Sequence, residues 1–229
     1  MPVFRLTKDL LFPPPALADE DGLLALGGDL SRDRILLAYS MGIFPWYSDG
    51  SPVLWWSPDP RLVLIPEELK VSRSLGQVIK KGIFRVTMDT AFDRVIRKCA
   101  EISRKGQHGT WITEEMISAY IDLHCAGYAH SLESWDQGEL VGGLYGVALG
   151  KAFFGESMFS LKSNASKVAF VTLVERLKKI NFSFIDCQVT REHLKSLGAR
   201  EISRKKFLQM LKKALEQQTQ MDRLKVEDN

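Results

Sequence analysis

Three consecutive strand-like segments, separated by tight-turn signals, constrain the fold of this chain more than any other feature. They occupy residues 130–136, 139–150 and 151–159, with Asp-Gln-Gly and Gly-Lys at the junctions, and such turns join antiparallel neighbours. A helical pattern starts at residue 164, and residues 182–189 then form a further predicted strand. Because this strand follows a crossover helix, it can lie parallel to the strand before that helix, in the interior of the sheet.

The remaining patterns add helices and short strands to this sheet. Strands are predicted at 61–66 and 84–89, and helices at 31–41, 91–103, 113–126, 192–197 and 204–216, with Ser31, Thr113 and Asn164 as N-caps. The first 60 residues are rich in turn residues. We therefore predict an α+β protein with a small, loop-rich N-terminal domain (residues 1–60) and a C-terminal domain (residues 61–229). The larger domain is expected to hold a mixed, largely antiparallel sheet flanked by helices.

The composition is that of a water-soluble globular protein. Hydrophobic residues make up 45% and charged residues 26% of the 229 positions. No apolar run reaches the roughly 18 residues of a membrane span, and the N-terminal residues lack the pattern of a secretory signal. The cysteines, Cys99, Cys125 and Cys187, are far apart, which predicts neither a disulfide framework nor a metal site. These features predict a cytoplasmic protein without a membrane partner.

The stretch FIDCQVT, residues 184–190, places a carboxylate and an amide on a predicted interior strand. In regular alternation Ile185 and Val189 face one side of the sheet, and Asp186 and Gln188 face the other. An interior strand is covered on both faces, so polar side chains there are poorly explained as ordinary surface. We therefore expect Asp186 and Gln188 either to be buried with partners or to face a cleft.

Glu156 is a second acid on a predicted interior strand. Alternation places it on the same face as Phe154 and Met158. A carboxylate among apolar side chains is costly to bury unless something pairs with it. Two interpretations are open: a structural salt bridge to Lys167 or an arginine, and a functional acid that holds a ligand amine at the base of an apolar pocket.

Tryptophans and basic residues indicate a possible nucleic-acid partner. Trp46, Trp55 and Trp56 lie in loop-like, proline-rich sequence, where aromatic rings suit either packing or stacking on an unpaired base. The net charge is only +3, yet residues 61–105 hold 11 Lys or Arg against 5 Asp or Glu, and residues 191–213 hold 8 against 2. Such zones fit a phosphate-bearing partner, and they also fit solvated helix faces.

The motifs of common nucleotide-binding and hydrolytic enzymes are not present in the sequence. The stretch GLYGVALGKA has Tyr145 where a Walker loop needs glycine and Ala152 where it needs Ser or Thr. There is no Gly-x-Gly-x-x-Gly, no Gly-x-Ser-x-Gly, and no recognised spacing of histidines with a nucleophile. Phosphate-loop hydrolysis and serine hydrolase chemistry are therefore disfavoured.

Nine short motifs occur in a fixed order, within a match that extends from about residue 22 to 207. They are GLLALGGDLS, GIFPWYS, LWWSPDPR, TWIT, LVGGLYGV, FFGESMFS, NASK, IDCQV and SLGA. Together they resemble the bacterial leucyl/phenylalanyl-tRNA protein transferase family. The resemblance implies an enzyme that moves leucine or phenylalanine, with methionine as a further candidate, from aminoacyl-tRNA to the N-terminal amine of proteins that begin with Arg or Lys. Such proteins are thereby marked for N-end rule degradation.

The resemblance also implies a fold and site residues. It implies no cofactor, and a C-terminal domain similar to the Gcn5-related N-acetyltransferase (GNAT) fold. Asp186 and Gln188 match the family's proposed catalytic pair, Glu156 matches an acid in its active centre, and Trp46 and Trp111 match the residues that hold the terminal adenosine of the tRNA. The expected pocket for the donor side chain is lined by Leu144, Phe153, Met158, Phe170, Leu173 and Ile185.

Several alternatives stay open at this level. A non-catalytic RNA-binding module would use the basic zones and the tryptophans. A CoA-dependent acyltransferase is a weaker interpretation, because SLKSNASK has no glycine where an acyl-CoA loop is expected. Within the transferase interpretation, Asp186 either accepts a proton from the attacking amine or orients it, and Gln188 either donates to the ester carbonyl or holds the amine. Glu156 would pair with the donor's α-ammonium or with the acceptor's basic side chain.

Overall fold

The computed structural model of the chain describes residues 3–102 and 111–217. Its strands and helices, numbered in chain order, are β1 (Phe4–Leu6), β2 (Leu23–Gly27), α1 (Arg32–Ser40), β3 (Phe44–Pro45), β4 (Leu54–Trp56), β5 (Arg61–Leu64), α2 (Arg73–Lys80), β6 (Arg85–Met88), α3 (Phe92–Glu101), α4 (Glu114–Cys125), β7 (Ala129–Asp136), β8 (Glu139–Leu149), β9 (Ala152–Ser160), α5 (Ala165–Lys179), β10 (Phe184–Gln188), α6 (Glu192–Ser196), β11 (Arg200–Ile202) and α7 (Arg204–Leu215).

The strands form two sheets. The smaller sheet has the order β1-β2-β4-β3, and the larger has the order β11-β5-β10-β9-β8-β7-β6. Each sheet contains one parallel pair, β1 with β2 and β9 with β10, and its other pairs are antiparallel. The prediction of an α+β protein with a mixed, largely antiparallel sheet flanked by helices is confirmed.

The predicted interior position of the FIDCQVT strand is also confirmed. β10 lies between β5 and β9, and it runs parallel to β9, with Phe184 opposite Ala152 and Asp186 opposite Phe154. The antiparallel run β7-β8-β9 precedes the crossover helix α5, as its turn signals predict. β10 therefore has a hydrogen-bonded strand on each side.

Helices cover both faces of the larger sheet. One face packs against α5, α2 and α6, which bury Leu173, Leu75 and Leu194. The other face packs against α1, α3, α4 and α7 together with the smaller sheet. Because both faces of the sheet are covered, the acid and the amide of β10 lie inside the protein, either paired or in a cleft.

Among the described residues, no helix combines the length and apolar composition needed to cross a membrane.

The predicted N-caps are only partly correct. The Thr113 side chain accepts a hydrogen bond from the Met116 backbone nitrogen at 3.3 Å, so this cap is confirmed. Ser31 and Asn164 occupy the predicted N-cap positions of α1 and α5, but neither side chain makes a cap hydrogen bond. Asn164 instead has a left-handed backbone with φ 70°, which asparagine tolerates better than most residues. This conformation lets the chain turn sharply into α5.

Two β-bulges lie side by side in the centre of the larger sheet. Tyr145 of β8 pairs with Ser157, but the next residue of β8 pairs with Gly155, so Glu156 is an extra residue in β9. In the pairing of β10 with β5, the register likewise skips Cys187 between Asp186 and Gln188. A bulge adds one residue to a strand and re-aims the side chains beside it. The bulges therefore place Glu156 and Gln188 where regular strands would not.

The bulges also overturn two predictions of strict alternation. Phe154 packs into the core on one face of the sheet, whereas Met158 packs against the core on the other face. Ile185 and Val189 are separated in the same way. Because one extra residue shifts the two-residue period by one position, residues on either side of a bulge exchange faces. The prediction that the two residues of each pair lie on the same face is therefore wrong.

Gly146 allows the sheet to pack tightly beside the bulge in β9. A Cβ atom at this position would overlap the carbonyl oxygen of Phe154 and lie 2.5 Å from a ring carbon of Phe153. Both Phe153 and Phe154 are fully buried, so neither can move aside without displacing its neighbours. The ring of Phe153 thus lies across β8 only because residue 146 has no side chain.

We expect Gly146→Ala to lower the free energy of unfolding by about 1–3 kcal/mol, the usual effect of overpacking a core. The control is Gly76→Ala in α2, where the nearest atom to an added Cβ is 4.0 Å away. That helical substitution should raise stability by about 0.5–1 kcal/mol. Urea unfolding of both variants measures the two effects, and an unchanged midpoint for Gly146→Ala would contradict the packing described.

Candidate active site

A cavity of about 360 Å³ opens where β9 and β10 part. The two strands pair only as far as Phe154 and Asp186, and the residues that follow in each strand line the cavity walls. Its volume lies within the range typical of small-molecule sites. The divergence of a parallel strand pair in the sheet interior therefore creates the binding space.

The six apolar residues predicted to hold the donor side chain all line this cavity. Five are almost completely buried, with exposed fractions of 0–4%, and Met158 is partly exposed. They are Leu144 on β8, Phe153 and Met158 on β9, Phe170 and Leu173 on α5, and Ile185 on β10. The structure thus brings together residues that are far apart in sequence into one apolar wall.

Glu156 is the acid of the cavity wall. Its oxygens accept hydrogen bonds from uncharged donors, the Tyr120 hydroxyl at 3.0 Å and Gln188 Nε2 at 2.7 Å, and among the described residues neither Lys167 nor an arginine pairs with it. Burial of the carboxyl raises its pKa from an ordinary value of 4.5 to about 7, and the nearby charge of Asp186 acts in the same direction. The hydrogen bonds from its neighbours only partly offset this rise. Glu156 can therefore exchange a proton near neutral pH.

Two tyrosines that the sequence analysis did not assign to the site stand behind Glu156. The hydroxyls of Tyr39 and Tyr120 are 2.5 Å apart, and both side chains are fully buried. Burial, together with the nearby Glu156 charge, raises the pKa of both phenols well above the usual value. They therefore remain protonated and act as donors. The signal available in the sequence was weak, because tyrosines on the apolar faces of helices are typical core residues.

Gln188 reaches the cavity through an unusual backbone conformation. Its φ is 60°, in the left-handed region that residues other than glycine rarely occupy. Its backbone nitrogen donates to Asp186 Oδ1 at 2.8 Å, and its side chain lines the cavity and donates to Glu156. Gln188 is thus held through both its backbone and its side-chain amide.

Asp186 is enclosed beneath the cavity instead of lining it. Its exposed fraction is 0%, and Arg61 donates to its two oxygens at 2.8 and 2.6 Å. Of the two outcomes expected for the polar face of β10, Asp186 is buried with a partner and Gln188 faces the cleft. Sequence reasoning required a partner for a buried acid but did not identify Arg61, because the pairing of β5 with β10 joins residues 125 positions apart.

The two predicted adenosine-binding tryptophans line the same cavity. Trp46 and Trp111 are both partly exposed, unlike the fully buried Trp55. Trp56 donates its indole nitrogen to the Trp46 carbonyl at 2.6 Å, and Tyr47 hydrogen-bonds Thr113 at 3.1 Å, which ties the two tryptophan segments together. Two aromatic faces are thus available at the cavity that also holds Glu156 and Gln188.

Other polar groups of the cavity wall differ in character. Arg191 and His193 follow β10 and add basic groups to the lining. Burial raises the pKa of the Cys187 thiol above its usual range, so this thiol stays protonated and is not an activated nucleophile. Among residues 3–102 and 111–217, no group of three His, Cys, Asp or Glu side chains is arranged to hold a metal ion.

Comparisons with known proteins identify the family of this chain. The family model described as the N-terminal domain of leucyl/phenylalanyl-tRNA protein transferase matches residues 28–59, and the model of the transferase itself matches residues 63–212. A leucyl/phenylalanyl-tRNA–protein transferase of Syntrophobacter fumaroxidans is 63% identical over 92% of this chain and 90% of its own length. One from Anaeromyxobacter dehalogenans is 57% identical over 99% and 97%.

Similarity to solved structures is much more distant. The structure of L-PGS from Bacillus licheniformis superposes with a TM-score of 0.46 and 9% identity, covering 85% of this chain and 71% of that one. This likeness is too low to support an argument. The two family models and the close relatives nevertheless lead to one conclusion, that the chain belongs to the leucyl/phenylalanyl-tRNA protein transferase family.

Proposed function

We propose that this protein transfers leucine or phenylalanine from aminoacyl-tRNA to the N-terminal α-amine of proteins that begin with Arg or Lys, and so marks them for N-end rule degradation. One observation carries the proposal: a single cavity combines an apolar wall, two tryptophan rings, and the Glu156–Gln188 pair. An aminoacyl-adenosine has three matching parts, namely a side chain, a base and a reactive ester. The family membership supports the same activity.

The apolar wall accounts for a donor preference that includes both leucine and phenylalanine. The residues of this wall offer no polar group that would select one apolar side chain by hydrogen bonding. In such a pocket one methylene changes binding by only about 1–3 kcal/mol. Methionine, which is unbranched and apolar, is a further candidate donor.

We further propose a two-domain organisation, residues 1–60 and 61–229, with a C-terminal domain similar to the Gcn5-related N-acetyltransferase fold. All strands of the smaller sheet precede residue 60, and separate family models match the two parts. The GNAT-like assignment is supported by the order of antiparallel strands, crossover helix and parallel strand in β7–β10. Since the donor is a charged tRNA, we place the protein in the cytoplasm.

The reaction is aminolysis of an ester. The nitrogen of the neutral acceptor amine attacks the ester carbonyl carbon, a C–N bond forms, and the bond from that carbon to the ribose oxygen breaks. The nitrogen loses one proton to Glu156, whose pKa of about 7 is near the value of about 7.7–8.0 of an α-amine, and Glu156 returns this proton to the leaving ribose oxygen. Because Gln188 Nε2 donates to Glu156, its Oε1 is left to orient the amine. Asp186, enclosed by Arg61, has a positioning role.

The activity itself is tested with purified protein, leucyl-tRNA and a peptide that begins with arginine. We expect leucine on the peptide's N-terminus by mass spectrometry, and none when the same peptide is N-acetylated, because the attacking amine is then blocked. Folded protein that binds leucyl-tRNA but transfers nothing would favour the non-catalytic RNA-binding alternative.

The two tryptophans are tested by separate Trp46→Ala and Trp111→Ala substitutions. Stacking of one base on an aromatic ring contributes about 1–3 kcal/mol, so KM for leucyl-tRNA should rise roughly tenfold in each variant. Trp135→Ala is the control, since Trp135 lies on β7, bonded to Thr87 of the edge strand β6 and away from the cavity. An unchanged donor KM in both test variants would remove the adenosine assignment.

The role of Glu156 is tested through the pH dependence of transfer. As a base it must be ionised, so the wild-type rate should rise as pH increases through about 7, in addition to any rise from the acceptor amine. Glu156→Gln should lose the inflection near pH 7 and lower kcat by about a hundredfold or more. Glu139→Gln, at an exposed acid, is the control. A Glu156→Gln variant with wild-type kcat and profile would exclude the proposed base.

A further inference from the structure

Arg61 is an enclosed charged residue that bonds to the site and that the proposed chemistry does not use. It is the first residue of β5, has an exposed fraction of 1%, and binds Asp186 through Nε and Nη2. A forked, two-bond contact fixes the orientation of the carboxylate as well as its charge. Any group bonded to that carboxylate is therefore fixed by Arg61 as well.

The group bonded to it is the backbone of Gln188. Asp186 Oδ1 accepts from Arg61 Nε at 2.8 Å and also from the Gln188 nitrogen at 2.8 Å. A left-handed glutamine is strained and persists only where its surroundings hold it. Without this acceptor, Gln188 would relax to an ordinary backbone conformation, and its side chain would turn away from Glu156.

Arg61 also contacts the wall that carries Trp46. Its guanidinium carbon lies 4.7 Å from the ring centre of Phe44 and 4.5 Å from that of Phe207. Phe44 lines the cavity two residues before Trp46, and Phe207 belongs to α7. One guanidinium thus packs over a ring of β3 and a ring of α7, and its nitrogens bond to Asp186 of β10.

We propose that Arg61 is a positioning residue for aminoacyl transfer, which acts through Asp186 to hold the Gln188 amide against Glu156 and through Phe44 to keep the Trp46 wall in register with it. The proposal rests on the proposed function. Asp186 is assigned the same positioning role, so neither Arg61 nor Asp186 touches the substrate. Loss of this ion pair should lower the rate of the chemical step more than it weakens donor binding.

The test replaces the whole pair in the double variant Arg61→Met, Asp186→Leu. Apolar residues of similar size often replace a buried ion pair without loss of stability, so the variant is expected to fold and to unfold cooperatively. Its kcat should nevertheless fall about tenfold to a hundredfold, because small misplacements of reacting groups have effects of this size. The donor KM should change less, which is the pattern of a lost transition-state interaction.

The matched control applies the same two substitutions to Arg32 and Asp122, a forked pair of similar geometry on the surface, with distances of 2.8 and 2.7 Å. This control should retain wild-type kcat. Arg61→Lys is the second test variant, since it keeps the charge but loses the two-bond contact. It should lower kcat, and thermal unfolding checks that it is folded. It also keeps the test informative if the double variant does not fold.

Three outcomes separate the hypotheses. A folded double variant, or a folded Arg61→Lys variant, with wild-type kcat overturns the positioning role and leaves the transfer activity intact. Wild-type protein that transfers nothing in the parallel assay overturns the proposed function instead. A lowered kcat in both Arg61 variants, with full activity in the surface-pair control, supports the positioning role.

Discussion

The buried ion pair between Arg61 and Asp186 is the interaction on which the arrangement of the cavity depends. It bonds β5 to β10 in the interior of the larger sheet, and its guanidinium packs against both β3 and α7. Removal of one partner from a buried pair generally costs about 3–5 kcal/mol, because the other charge is left uncompensated. The same carboxylate holds the backbone of Gln188. Stability and site geometry are therefore linked through one residue pair.

The environments of Asp186 and Glu156 support the different roles that we propose for these two acids. Asp186 has a cationic partner and does not line the cavity, whereas Glu156 lines the wall and, among the described residues, accepts hydrogen bonds from uncharged donors. Burial raises the pKa of Glu156 to about 7, which suits proton exchange with an amine. An acid whose two oxygens are occupied by an arginine fork is better suited to hold its neighbours than to move a proton. Sequence alone presents both as acids on interior strands and does not separate them.

The sequence predicted the central elements of the larger sheet well, but it missed the strands of the smaller sheet, α2 and β11, and it predicted local irregularities poorly. The antiparallel run β7–β9, the crossover helix and the interior strand β10 follow from turn signals and from the order of elements. The motifs also identified Glu156, Gln188, both tryptophans and the six apolar residues that line the cavity. The bulges at Glu156 and Cys187 were not predicted, because β9 and β10 carry apolar residues on both faces and a one-residue shift of the period is then not visible in their sequences. Arg61, Tyr39 and Tyr120 were missed for a similar reason, since only tertiary packing brings them to the site.

The central claim is that the space between the parting strands β9 and β10 holds the aminoacyl end of the donor. The most direct measurement is a crystal structure of the protein with leucyl-adenosine in which an amide replaces the reactive ester. The account predicts the leucine side chain against Phe153 and Leu173, the adenine against Trp46 and Trp111, and the carbonyl beside Gln188. A ligand bound outside this cavity, or an adenine that contacts neither tryptophan, would contradict it.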